Sequence, residues 1–176
     1  MDETSGVATV RGFYAAIGER PYEETVSPFL DEQVVWHVAG SNPFAGTFQG
    51  IPAVLDAMHN SGSASKGSLR LDTRTLLGDD RHVVAIHEAT ARVGEYEYAA
   101  HEVDVFHVSR GRITQFWSFS EDQAATDRLW TLGARTSRGD RVDETCAGHL
   151  VTSRSTITEG YVPLVIAKSI LLHRGE

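Results

Sequence analysis

The chain has 176 residues with 24 acidic and 16 basic side chains, which give a net charge of −8 when histidine is neutral. An acidic surface repels phosphate groups, which disfavours nucleic acids and anionic membranes as partners. The single cysteine, Cys146, excludes an intrachain disulfide and a thiolate metal cluster. No apolar run could span a membrane, and MDETSGVATV lacks the features of a signal peptide. We therefore expect a cytoplasmic protein with a small-molecule partner and with neither nucleic acid nor membrane as a partner.

The acidic charge is concentrated in the first three quarters of the chain. Residues 1–132 have 10 Lys/Arg and 19 Asp/Glu, whereas residues 133–176 have 6 and 5. This change in composition predicts a domain over residues 1–132 and a C-terminal extension over residues 133–176. The extension starts as a polar, turn-rich segment and later contains the apolar stretch YVPLVIAKSILL. The sequence leaves three alternatives open for this extension: an added strand or helix packed on the domain, a contact between two subunits, or disorder.

The first part of the domain has the pattern of helices. Apolar residues recur at helical spacing over residues 5–18, and a second, short helical segment begins near Pro21 and ends at Asp31-Glu32. The β-branched and aromatic run over residues 33–39 predicts a strand, and GSNPFAGTFQG predicts a turn-rich loop. A third helix is expected over residues 51–60, followed by a flexible connector over residues 61–68.

The second part of the domain has the pattern of antiparallel strands. Four strands are predicted over residues 69–77, 82–92, 96–109 and 112–120, with turn signals between them at hairpin spacing. A closing helix is expected over residues 121–130. Helices followed by a meander of strands indicate an α+β fold with helices on one face of a curved sheet. The curvature leaves a concave pocket, and pockets of this kind are the usual ligand sites.

Three segments carry a resemblance to a known family: FYAAIGERPYEET, VVWHVAGSNPFAGTFQG and HEVDVFHVSRGRITQFWSFSEDQAATDRLW. They resemble the SnoaL-like proteins of the nuclear transport factor 2-like superfamily, relatives of ketosteroid isomerase, over residues 7–130. The resemblance implies a cone-like curved antiparallel sheet that encloses an apolar pocket, often a homodimer, and no metal or organic cofactor. The superfamily contains isomerases, cyclases, dehydratases, epoxide hydrolases and proteins that only bind, so the fold does not determine the reaction.

Three positions match the catalytic pattern of ketosteroid isomerase, which has an aspartate base and an oxyanion hole made of a tyrosine and a protonated aspartate. The resemblance implies that Tyr14 is the oxyanion tyrosine and that Asp104 is the protonated aspartate. His37 stands where the family has its aspartate base, and an imidazole is a competent general acid or base near neutral pH. This difference argues against steroid isomerisation but permits proton transfer at a carbonyl, alcohol or epoxide. The alternative is that His37 caps the turn at Gly40-Ser41.

Asp104 lies in an otherwise apolar strand, and alternation places Glu102 and Phe106 on the same face. On an inner face, a carboxyl would have a raised pKa, and two neighbouring carboxyls would have different pKa values, which suits acid–base chemistry. On an outer face, both carboxyls would be solvated. The strand pattern leaves both alternatives open, and the resemblance favours the inner face for Asp104.

Two histidines lie on neighbouring strands of the predicted meander. His101 is a candidate for polarising a substrate oxygen, whereas His87 lies among small residues that leave room either for a ligand or for tight packing. The chain has eight histidines, but it contains no recognised metal-binding motif, so we expect no metal site. Several large apolar residues fit a pocket wall or an ordinary core equally well: Trp36, Phe44, Met58, Phe106, Phe116 and Trp117.

The sequence thus predicts a cofactor-independent cyclase or isomerase that acts by proton transfer on a small apolar metabolite of polyketide or isoprenoid type, with epoxide opening as a further option. The predicted catalytic residues are His37, Asp104, Tyr14 and His101. The predicted substrate-binding residues are Trp36, Phe44, Met58, His87, Glu102, Phe106, Phe116 and Trp117. The alternative is a non-catalytic binding or assembly module with the same fold. The enzyme requires that His37, Asp104 and Tyr14 converge on one cavity.

Overall fold

The computed structural model describes residues 3–19 and 21–142, with side chains up to residue 136. Its helices are α1 (Ser5–Ile17), α2 (Tyr22–Thr25), α3 (Ile51–Ala64) and α4 (Gln123–Val142), with a 3-10 turn over Ser27–Phe29. Its strands are β1 (Leu30–Val38), β2 (Gly46–Gln49), β3 (Arg70–Gly78), β4 (His82–Val93), β5 (Tyr96–Ser109) and β6 (Arg112–Ser120). The predicted first helix and the four predicted strands of the meander are confirmed to within one residue at each end. None of the helices in the described ranges is long and apolar enough to cross a membrane.

The strands form one curved, open sheet in the order β2-β1-β6-β5-β4-β3. The meander from β3 to β6 is antiparallel, and Gly94, Arg110 and Gly111 have the positive φ angles that tight hairpins need. β1 pairs antiparallel with β2 but parallel with β6, which differs from the fully antiparallel sheet that we expected. The reason is that β1 and β6 are joined by α3 and the whole meander rather than by a hairpin. The α+β class is confirmed.

The core lies between the inner face of this sheet and the helices. Helix α1 places Val10, Phe13 and Tyr14 against the sheet at helical spacing, and all three are buried. The ring of Phe13 meets Phe106 and Phe116 edge to face, with centroid distances of 5.9 and 5.8 Å. These contacts hold α1 over β5 and β6, so a side chain on α1 can reach the polar residues of β5.

Several boundaries differ from the sequence prediction. β1 begins at Leu30, so Asp31-Glu32 belong to the strand, and the predicted loop contains the short strand β2. Helix α3 continues into the expected connector as far as Ala64. Helix α4 continues to Val142, through residues expected to be turn-rich, and its Gly133 packs against the backbone of Ala64. Cys146 and the YVPLVIA stretch of the extension lie outside the described residues.

The loop between β1 and β2 is fastened to α4 by the carboxylate of Asp127. Its Oδ2 accepts hydrogen bonds from the backbone N–H and the hydroxyl of Ser41, at 3.0 and 2.9 Å. Its Oδ1 accepts from the amide of Asn42 at 2.7 Å, and the Asn42 carbonyl oxygen in turn accepts from the N–H of Phe44 at 2.9 Å. One side chain of α4 therefore fixes the loop that carries Phe44.

We expect Asp127→Ala to lower the free energy of unfolding by about 2 kcal/mol, because hydrogen bonds to a charged acceptor contribute more than neutral ones and four are lost. Asp127→Asn retains an acceptor oxygen and should lose about half as much. Urea unfolding of both variants measures the difference. Equal stability of Asp127→Ala and the unsubstituted protein would show that the loop is held by other contacts.

Candidate functional site

A cavity of about 140 Å³ lies between the inner face of the sheet and helices α1, α3 and α4. Most of its wall is apolar, and the indole N–H of Trp36 donates to the Ser118 hydroxyl at 2.9 Å. Four of the predicted wall residues line it: Trp36, Phe44, Met58 and Phe116. Further apolar wall residues are Ile17, Val38, Leu69, Leu71 and Trp130. The cavity therefore offers a mostly apolar surface on which a few polar groups determine the chemistry.

Two carboxyl groups of β5 line this cavity. Glu102 and Asp104 are two residues apart on the strand, so alternation directs both to the inner face. In the sheet register they lie opposite Ser120 and Ser118 of β6, which also line the cavity. The side chain of Asp104 is 14% exposed, so it reaches the cavity without being solvated. The sequence left open whether these carboxyls lie on the inner or the outer face of the sheet, and in the structure both lie on the inner face.

Asp104 belongs to a hydrogen-bonded cluster with Tyr14 and His87. The phenol of Tyr14 donates to Asp104 Oδ2, and His87 Nε2 lies 2.9 Å from the Tyr14 oxygen and 3.5 Å from Asp104 Oδ2. Burial, together with the negative charge of Asp104, raises the pKa of Tyr14 well above its usual value. The phenol therefore stays protonated and remains a donor to Asp104.

Glu102 belongs to a second cluster, built around Tyr98. The Tyr98 hydroxyl donates to Glu102 Oε1 at 2.8 Å and lies 2.9 Å from the Thr126 hydroxyl and 3.3 Å from that of Ser120. Burial raises the pKa of Glu102 to about 7, and the charge of Asp104 acts in the same direction. The hydrogen bond from Tyr98 opposes this rise. The two carboxyls of the cavity thus have different surroundings, and Glu102 titrates near neutral pH.

Tyr98 and Thr126 were not among the predicted site residues. A signal for Tyr98 was present, because alternation along β5 places it on the same face as Glu102. Thr126 had no such signal, since its position depends on where α4 crosses the sheet.

His37 does not line this cavity, which corrects the expectation that His37, Asp104 and Tyr14 converge on one cavity. Its side chain is on the outer face of β1, where Nδ1 lies 3.0 Å from the Thr47 hydroxyl and Nε2 lies 2.7 Å from the Gln115 amide. Its ring stacks on Trp117 at a centroid distance of 5.2 Å, so Trp117 is also outside the cavity. The physical reason is alternation, since Trp36 points inward and its neighbour must point outward.

His101 is outside the cavity for the same reason. It is the direct neighbour of the inward Glu102 on β5, its side chain is 58% exposed, and its Nδ1 lies 2.9 Å from the Glu121 carboxylate. His87 and Phe106 are fully buried, but neither lines the cavity. His87 lies behind Tyr14, and Phe106 stacks on Phe116 in the core. The structure therefore brings together Tyr14, Asp104 and Glu102, but not His37 or His101.

The described residues include no group of three His, Cys, Asp or Glu side chains placed to hold a metal ion. The polar groups that face the cavity include two carboxyls, several hydroxyls and the amide of Gln123. The chemistry that these groups offer is proton transfer and hydrogen bonding.

Comparison with known proteins places this fold and cavity in a family. Residues 10–116 match the SnoaL-like domain. The chain belongs to the SnoaL-like family. It is 26% identical to the uncharacterized protein Rv0034 of Mycobacterium tuberculosis over 131 residues, which are 74% of this chain and 99% of that protein. The family includes cyclases and isomerases, and its fold commonly binds small molecules.

Solved structures show the same SnoaL-like architecture. Bal32a, from a soil-derived mobile gene cassette, is 27% identical with a TM-score of 0.67, over 72% of this chain and 96% of that one. A nuclear transport factor 2-like protein from Burkholderia xenovorans LB400 is 21% identical with a TM-score of 0.61, over 72% and 95%. The second likeness establishes the fold alone.

Proposed function

We propose that this SnoaL-like protein is a cofactor-independent cyclase or isomerase that acts by general acid–base catalysis on a small, largely apolar metabolite. One observation carries the proposal: two carboxyls with different hydrogen-bond partners face the same apolar cavity. Pairs of titratable groups whose surroundings separate their pKa values are the usual sign of an acid and a base working together. The apolar wall strengthens electrostatic interactions inside the cavity because it excludes water.

Asp104 is the base in this proposal. As a carboxylate it accepts the hydrogen bond of the Tyr14 hydroxyl at Oδ2, and its other oxygen takes a proton from a carbon next to a carbonyl, or from a hydroxyl. Glu102 is the acid, since its raised pKa keeps much of it protonated at neutral pH. It gives its proton to the oxygen on which negative charge develops. Transfer of the Asp104 proton to a different carbon, while Glu102 takes its proton back from the enol oxygen, isomerises the substrate. Alternatively, the enol carbon attacks a second carbonyl carbon and closes a ring; the new alkoxide takes the Asp104 proton, and Glu102 recovers its own from the enol oxygen.

The cavity supports a substrate with an apolar ring and at least one carbonyl, hydroxyl or epoxide oxygen. A cavity of about 150 Å³ lined by apolar residues holds a benzene ring, so the volume here suits one ring with its substituents towards the opening. Rings of this size with oxygen functions are typical of polyketide and isoprenoid products. The same acid and base could also open an epoxide: the acid protonates the epoxide oxygen, and the base activates a hydroxyl of the substrate, which attacks the epoxide carbon and closes a ring.

The test is a panel of enolisable aromatic ketones, β-keto compounds and epoxides in D₂O, with deuterium uptake and product formation followed by mass spectrometry. We expect the protein to accelerate deuterium exchange or ring opening for members of the panel. Ser61→Phe, which places a ring in the cavity, should abolish the activity, because Ser61 lines the wall. His107→Ala, on the outer face beside Trp117, should retain it. Equal activity of Ser61→Phe and the unsubstituted protein would place the reaction elsewhere.

The second candidate is a non-catalytic binding module, and the largely apolar wall of the cavity favours it. Calorimetric titration with the same compounds distinguishes the two. Binding without turnover or deuterium exchange, and with no change in affinity between pH 5 and pH 8, would support a binding protein.

We further propose that the protein acts in the cytoplasm and forms a homodimer. The acidic composition supports the first part, and the open edges of the six-stranded sheet are compatible with a second subunit. Light scattering coupled to gel filtration measures the mass directly, and a single species at 19.3 kDa would contradict the dimer.

A further inference from the structure

A chain of hydrogen bonds connects the edge strand β3 to the cavity. Thr73 on β3 lies opposite His87 on β4, and its hydroxyl is 3.0 Å from His87 Nδ1. His87 Nε2 is 2.9 Å from the Tyr14 oxygen, and Tyr14 donates to Asp104. His87 is fully buried and does not line the cavity, so its hydrogen bond to the site is the one to Tyr14.

The number of protons in this chain determines the direction of each bond. Tyr14 has one hydroxyl proton, and it is directed to Asp104 Oδ2. His87 Nε2 therefore meets only the lone pairs of the Tyr14 oxygen, which requires a proton on Nε2. In a neutral imidazole the other nitrogen is then an acceptor, so the Thr73 hydroxyl must donate to Nδ1. Every donor from Thr73 onwards is directed towards Asp104.

We propose that His87 is a positioning residue: as the neutral Nε2–H tautomer, with its ring oriented by the hydrogen bond from Thr73 to Nδ1, it donates to the Tyr14 oxygen and keeps the Tyr14 hydroxyl a donor to Asp104. This inference rests on the proposed function in one respect, namely that Asp104 is the base. In the Nδ1–H tautomer, the unprotonated Nε2 of His87 would compete with Asp104 for the hydrogen bond that the Tyr14 hydroxyl donates. The fixed direction keeps Asp104 Oδ2 occupied, so the substrate proton binds at the other oxygen and returns to the substrate from there.

The competing arrangement is a charged His87 paired with Asp104, which lies 3.5 Å away. In that arrangement Nδ1 would also carry a proton, and the Thr73 hydroxyl would be an acceptor. A positive charge at a fully buried ring is costly unless it is well paired, and the Tyr14 hydroxyl already occupies the facing oxygen of Asp104.

Nitrogen NMR of the ligand-free protein, with ¹⁵N-labelled histidine, tests the inference without any substrate. We expect His87 at pH 7 to show a protonated Nε2 and an unprotonated Nδ1. Protonation of Nδ1, with or without Nε2, would overturn the proposal. Because this measurement needs no turnover, it tests the tautomer of His87 independently of whether the protein is an enzyme.

Substitution of Thr73 tests the hydrogen bond that orients the His87 ring. Thr73→Val has the same shape but no hydroxyl, so Nδ1 of His87 loses its hydrogen-bond donor and its nitrogen signal should shift towards that of an acceptor nitrogen without a partner. Thr73→Ser should restore the original signals, and Thr75→Val on the same strand serves as the matched control. With a substrate from the panel, kcat of Thr73→Val should fall about tenfold at unchanged KM, because the ring that positions Tyr14, and through it Asp104, loses the hydrogen bond that orients it. Unchanged nitrogen signals in Thr73→Val, with the fold intact by circular dichroism, would also overturn the proposal.

Discussion

Asp104→Asn should lower kcat by about 10³-fold, within the range that a general base contributes, and should leave the affinity for an apolar ligand nearly unchanged. Asparagine has the shape of aspartate, and its carbonyl oxygen can still accept the Tyr14 hydroxyl proton. What it lacks is a basic oxygen that takes up a proton from the substrate. The substitution therefore removes one chemical step and preserves the wall of the cavity.

Single-turnover kinetics and calorimetric titration with one ligand of the panel measure the two quantities separately. Equal losses in kcat and in affinity would show that Asp104 binds the substrate rather than abstracting a proton from it. Glu121→Gln is a suitable control, since this carboxyl pairs with His101 on the outer surface. Its turnover should match that of the unsubstituted protein.

Tyr14→Phe is a less specific test of the same cluster. It removes the donor to Asp104 and also leaves the buried Nε2 of His87 without its partner oxygen. An unsatisfied buried polar group costs about 1–3 kcal/mol, so stability should fall along with activity. Asp104→Asn is therefore the substitution from which the role of the carboxyl can be inferred.

The inner face of β5 could be predicted from the sequence in part. Alternation places Tyr98, Glu102, Asp104 and Phe106 on one face, and the family resemblance indicates that this face is the inner one. The pKa of Glu102 could not be predicted, because it depends on burial under α4 and on the hydrogen bond from Tyr98. Contacts between elements distant in sequence decide such values, and periodicity contains no information about them.

Three predicted site residues lie on the outer face of the sheet for one common reason: His37, His101 and Trp117. The predicted site contained three pairs of adjacent strand residues: Trp36 with His37, His101 with Glu102, and Phe116 with Trp117. Neighbours on a strand point to opposite faces, so at most one member of each pair can face the cavity. In each pair one residue is inward and the other outward, and both histidines are outward. At His37, the match to the family's base position was therefore a weaker guide than strand geometry.

The ends of elements could be predicted only where the chain makes local turns. Gly94 and Gly111 mark hairpins because a positive φ is cheap for glycine, and the strands on either side were predicted correctly. Helix α4 has polar residues beyond its predicted end, and just past that end Gly133 allows close packing on α3 at Ala64. That close approach is a tertiary contact, which a local sequence pattern does not indicate.

The pH dependence of the protein should report the protonation of Glu102. If Glu102 is the acid, kcat/KM should decrease about tenfold per pH unit above pH 7, because only its protonated form supplies the proton. Glu102→Gln should lose this decrease together with most of the activity. Tyr98→Phe removes the hydrogen bond that lowers the pKa of Glu102, so the decrease should begin at a higher pH. If Tyr98→Phe and the unsubstituted protein have the same pH profile, the decrease in kcat/KM reports the titration of a group other than Glu102.

Stability gives an independent measurement of the same carboxyl. The pKa of Glu102 is about 7 in the folded chain, above the ordinary value of 4.5, so the folded state binds the proton more tightly than the unfolded state. The associated stabilisation is complete below pH 4.5 and is lost as the pH rises through 7. Glu102→Gln has no such loss, so between pH 5 and pH 8 its stability relative to the unsubstituted protein should rise by about 2–3 kcal/mol. Urea unfolding at the two pH values measures this difference, and a constant difference would mean that Glu102 is solvated and unfit to be the acid.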